Sequence, residues 1–88
     1  MWVKGNYELR NVLDEYIVLP KGKEMTDFEG AIVLSPEAAF AWEQLQKDIT
    51  EETLLEAILG EFEVSEEKAR ADLEQLLEKL EGYGVLER

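Results

Sequence analysis

After Leu34 the sequence writes the same kind of helix start three times: Ser35-Pro36-Glu37, Thr50-Glu51-Glu52 and Ser65-Glu66-Glu67. Each hydroxyl side chain can accept hydrogen bonds from the free amides of a first turn, and the acids that follow favour the positive end of the helix dipole. Pro36 adds a residue suited to the first helical position. Behind each start lies a stripe of apolar residues spaced by three or four. The stripes are Ala38, Ala39, Trp42 and Leu45, then Leu54, Leu55, Ile58 and Leu59, then Ala69, Leu73, Leu76, Leu77 and Leu80. The pattern predicts a helix from Pro36 to about Lys47, a short one stopping near Gly60, and a longer one ended by Gly82 and Gly84. Val85 and Leu86 can then lie back on the core.

The chain before Ser35 is built differently. Tyr7, Leu9 and Val12, and then Tyr16, Ile17, Val18 and Leu19, are short runs of β-branched and aromatic residues, the second ended by Pro20. A polar stretch from Gly22 to about Asp27 leads to Gly30-Ala31-Ile32-Val33-Leu34, which is too short for a helix and reads as a third strand. The predicted fold is α+β: a three-stranded antiparallel sheet followed by three helices, in the outline of a winged helix-turn-helix. At 88 residues the chain is one domain, residues 1–88, with a single small core.

That outline usually means DNA, but the charge argues against it. The chain carries 21 acidic and 9 basic residues, a net charge of −12. Residues 35–88 hold 15 of the acids and 5 of the bases. The third helix sets Glu66, Glu67, Asp72, Glu74, Glu78 and Glu81 against Lys68, Arg70 and Lys79, so its net negative charge would face phosphates. Nucleic acid and anionic membrane surfaces are therefore not expected as partners. The absence of Cys and His removes thiolate nucleophiles, sulfur-ligated metals and the commonest proton shuttle, so no catalysis, catalytic residue, metal or cofactor is expected. No apolar run approaches the length of a membrane span and no signal-peptide pattern opens the chain, so a cytoplasmic protein is expected.

Single residues with tempting readings reduce to structural ones. Trp42, spaced from Ala38 and Leu45 as a helix face requires, is a core side chain and not a stacking platform. Asp27-Phe28-Glu29-Gly30 lacks the alternating ligands of a calcium loop and reads as a turn. Ser35 lies in Leu34-Ser35-Pro36, not in the Asp-Ser-Leu context of a carrier protein. The third strand holds the best functional hint. Gly30 to Leu34 contains no charge and no Pro, the usual guards of an open strand. At an edge beside the third helix it would form a groove able to take an extended peptide as an added strand. In the centre of the sheet it would simply be buried on both sides. The residues themselves leave both arrangements open.

The order and spacing of these residues resemble a known family. They are Leu9-Arg10 with Glu15-Tyr16-Ile17-Val18, then Gly30-Ala31-Ile32-Val33-Leu34-Ser35, then Ala39, Trp42 and Leu45, then Thr50-Glu51-Glu52 with Leu54, and finally Asp72-Leu73, Leu76, Leu80, Gly84 and Leu86. The chain is similar over nearly its whole length to the PqqD family, the peptide-binding proteins of pyrroloquinoline quinone biosynthesis and their relatives, the RiPP recognition elements. Ser35 stands where many relatives have Asn, and keeps the capping role. The resemblance implies a non-catalytic module that binds the leader of a ribosomally made precursor peptide and presents the peptide to a modifying enzyme. The leader would pair antiparallel with the third strand, at Gly30, Ala31, Ile32, Val33 and Leu34, and pack between that strand and the third helix. On the helix, Ala69, Leu73 and Leu76 line the seam. The groove lies on one flank of it, either that of Lys68, Asp72 and Gln75 or that of Arg70 and Leu77, and the first contains Asp72, itself part of the resemblance.

A module not fused to its enzyme is expected to bind that enzyme as well as the leader. The resemblance points to a radical S-adenosylmethionine maturase or to the leader protease of lasso-peptide clusters. Two other classes fit the same outline: a winged-helix regulator acting through protein contacts, and a structural subunit of a larger complex.

Overall fold

The computed structural model describes residues 1–21 and 31–88. Its elements run β1 (Trp2–Val3), β2 (Tyr7–Val12), β3 (Glu15–Pro20), β4 (Ile32–Leu34), α1 (Pro36–Gln44), α2 (Glu51–Glu61), α3 (Glu66–Gly82) and β5 (Leu86–Glu87). The three expected strands are β2, β3 and β4, and they form one antiparallel sheet in that order, followed by three helices. The expected turn at Asp27 to Gly30, and Gly30 as a strand residue, lie outside the described residues.

β2 and β3 are joined by a two-residue turn, Leu13-Asp14, with Val12 opposite Glu15. Both turn residues have positive φ, 51° and 67°. That conformation matches the twist of a hairpin but suits Asn or Gly better than Leu. Leu13 is also 93% exposed.

One face of the sheet packs on the helices. Val18, Ile32 and Leu34 join Trp42, Leu45, Leu54, Leu55, Leu73, Leu77 and Leu80 in a single buried cluster. Trp42 is 2% exposed, which settles it as core. Each helix begins as the sequence predicts: the side chains of Ser35, Thr50 and Ser65 accept from the amides of Ala38, Thr53 and Lys68. Such caps contribute about 1 kcal/mol each.

The end of α1 departs from expectation, whereas those of α2 and α3 fall where the glycines place them. α1 stops at Gln44, short of Lys47, because the Leu45 carbonyl accepts from the amide of Val3 at 2.9 Å in place of a further helical turn. Val3 belongs to a two-stranded sheet, β1 with β5, that the sequence does not announce. α2 runs through Gly60 to Glu61. α3 takes Gly82 as its last residue and ends at Gly84, whose φ of 74° lets the Gly84 amide reach Glu81 O and the Val85 amide reach Leu80 O, at 2.9 and 3.0 Å. This double bond pattern closes the helix and folds Val85 onto the core, where it is buried. Among the described residues, no helix is long and apolar enough to cross a membrane.

Candidate functional site

The pairing of the hairpin fixes which way every amide in the sheet points. Residues closing a two-residue turn exchange both their backbone hydrogen bonds, and so does every second pair beyond them. Starting from Val12 and Glu15, those pairs are Arg10 with Ile17 and Glu8 with Leu19. The Lys21 amide donates to Asn6 O at 2.8 Å in the same phase. The N–H and C=O of Ile17 are thus spent on β2, and those of Tyr16 and Val18 face β4. Tyr16 lies opposite Leu34 and Val18 opposite Ile32, so these two β4 residues close the ladder. Val33, opposite Ile17, points its N–H and C=O away from the sheet.

Among the described residues β4 is therefore an edge strand, not a central one; β3 holds the centre. Side chains alternate accordingly. Ile32 and Leu34 are buried against the helices, whereas Val33 is 55% exposed on the other face.

Beside this open edge lies a groove of about 650 Å³. Its walls are Val33 and Leu34 on the sheet side and Ala69, Leu73 and Leu76 of α3 on the other, with Ile58 and Phe62 from the end of α2. Phe62 is held edge-on to Phe40, ring centres 5.6 Å apart. Along the rim, Lys68, Asp72, Gln75 and Lys79 recur at intervals of four, three and four, one stripe of a helix surface. Of the two flanks compatible with the sequence, the groove lies on this one. Arg70 turns the other way and pairs with Glu52 at 3.0 Å, and Leu77 is fully buried.

The rim carries balanced charge. Lys68 bonds Asp72 at 3.0 Å, and Glu37 also lines the groove. The Lys68 ammonium is held above the ordinary lysine range, first by its hydrogen bond to Asp72 and then by that carboxylate's charge. Glu52 acts on Arg70 in the same way. Both pairs are exposed and add little stability. At the other end of the rim, Lys79 Nζ lies 3.5 Å from the Val33 carbonyl oxygen.

Of the residues singled out in the sequence, Val33, Leu34, Lys68, Ala69, Asp72, Leu73, Gln75 and Leu76 come together at the groove. Ala31 precedes β4, half-buried, and Ile32 lies in the core beneath it. Sequence reasoning misses Lys79, although it continues the Lys68, Asp72, Gln75 spacing. It also misses Ile58, Phe62 and the first turn of α1, which only tertiary packing brings to the groove. Among the described residues no group of acids is arranged to hold a metal ion.

The structure is similar to a solved structure described as TbiB1 in complex with the TbiA(beta) leader peptide. The TM-score is 0.72 at 21% identity, covering 99% of this chain and 95% of that one. Comparison with curated proteins gives no match. The family model for coenzyme PQQ synthesis protein D matches residues 15–86, a span that takes in β3, β4 and all three helices. The chain belongs to the PqqD family.

Proposed function

We propose that this protein is a non-catalytic peptide-binding module that takes up the leader of a ribosomally synthesised precursor peptide as a fourth strand on β4 and presents the peptide to a modifying enzyme. The observation that carries this reading is the edge of Val33, unpaired among the described residues, directly above an apolar groove. An added strand would gain backbone hydrogen bonds at Val33, each worth about 0.5–1.5 kcal/mol net, and bury its alternate side chains on Ala69, Leu73 and Leu76. Membership of the PqqD family, and the leader peptide bound to the similar TbiB1, support the choice of ligand. The site is thus assigned to Ala31, Ile32, Val33 and Leu34 with Lys68, Ala69, Asp72, Leu73, Gln75 and Leu76, and Gly30 continues the strand. The partner enzyme is a radical S-adenosylmethionine maturase or a lasso-type leader protease.

Calorimetric titration with synthetic leaders of precursor peptides encoded beside its gene tests the reading. Saturable one-to-one binding supports it. A shift of duplex DNA at low salt would indicate a regulator, and a dedicated protein partner with no affinity for free peptides would indicate a structural subunit.

A further inference from the structure

An open strand edge is commonly guarded by a lysine. β4 has none of its own, yet the Val33 carbonyl, one of the two groups facing the open edge, already has a donor in Lys79 Nζ at 3.5 Å. Lys79 comes from α3, across the groove. Among the described residues it makes no ion pair, unlike Lys68, which is tied to Asp72. A strand adding to β4 must take that carbonyl with its own amide and displace the ammonium into the groove rim.

We infer that Lys79 guards the open edge in the free protein and, once displaced, selects an added peptide with an acidic side chain facing α3. This rests on the strand-addition reading above. In an added antiparallel strand, the residue paired with Val33 points its side chain away from α3, as Val33 does. The residues immediately before and after it point toward α3 and Lys79. The acid is therefore expected at one of those two positions. Within a protein of net charge −12 an acidic side chain is otherwise disfavoured, so its selection at one position identifies a local cation.

A displayed library of random 15-residue peptides selected on the full chain, in its natural form and as Lys79→Met and Lys79→Glu, tests this. The natural protein should enrich a motif of apolar residues with one Asp or Glu. Lys79→Met should keep the apolar anchors and lose the acid, and Lys79→Glu should exchange it for Lys or Arg. In a selected peptide, replacing the acid by its amide should weaken binding to the natural protein about two- to five-fold and leave Lys79→Met unaffected. Identical motifs for all three proteins would overturn the role of Lys79 while leaving peptide binding intact. Failure of every form to enrich a common motif would remove the strand-addition reading, and this inference with it.

Discussion

The two edges of the three-stranded sheet have the same kind of backbone and opposite surroundings. β2 is six residues long and exposes Arg10 and Asn11 to solvent, with Arg10 bonded to the half-buried Glu8 at 2.9 Å. β4 is three residues long, wholly apolar, and its open side looks onto a groove floored by Ala69, Leu73 and Leu76. Charge protects the first edge from pairing with another chain. Among the described residues the second is protected by its shortness and by Lys79 reaching over from α3. On the proposed reading an open edge becomes a binding site through what lies beside it, and here that neighbour is the apolar seam of α3.

The largest effect is expected from removing the support common to both edges. Trp42→Ala should cost about 3–5 kcal/mol, because the small core cannot close the cavity left by a fully buried indole. Thermal unfolding that hardly moves would contradict this packing.

A pair of proline substitutions separates the edges. Val33→Pro removes an outward amide that bonds nothing in the sheet, so it should leave the fold intact and weaken peptide binding at least about tenfold. Asn11→Pro, at an outward amide of β2, should leave binding unchanged. Equal losses from both would mean the edges are not distinguished. Ile32→Pro breaks the bond to Val18 and should damage the sheet itself.

Smaller effects sharpen the contrast. Leu13→Asn should raise stability by about 1 kcal/mol, since Asn tolerates the positive φ that Leu13 adopts, and peptide affinity should not move because the turn belongs to the β2 side. Added salt should weaken the binding of leaders with flanking Lys or Arg, because exposed charges are screened over about 8 Å at physiological ionic strength. Affinity that is flat with salt would mean that the net charge plays no part in partner choice.

The helices were legible because their signals are local: Ser35, Thr50 and Ser65 cap within three residues of themselves, and each apolar stripe repeats along one chain segment. Strand order was not, since an apolar run such as Ile32-Val33-Leu34 reads the same at an edge as in the centre, and only its pairing partners decide. β1 and β5 escape notice for a related reason. Two residues each carry no period, and β1 is held in place by bonds from Val3 to Leu45 and from Lys4 to Val85, distant in sequence. The groove was half legible: the α3 stripe follows from spacing, whereas the wall of Ile58 and Phe62 exists only once α2 packs against α3.

The most direct test of the central claim is residue-resolved amide exchange and cross-strand NOE measurement on the labelled protein, free and bound to a peptide selected on it. Strand addition predicts that the Val33 amide becomes strongly protected on binding and shows contacts to one extended peptide segment, while Leu9 and Asn11 on β2 stay as they were. Protection on β2, or a Val33 amide that exchanges freely in the bound state, would contradict it.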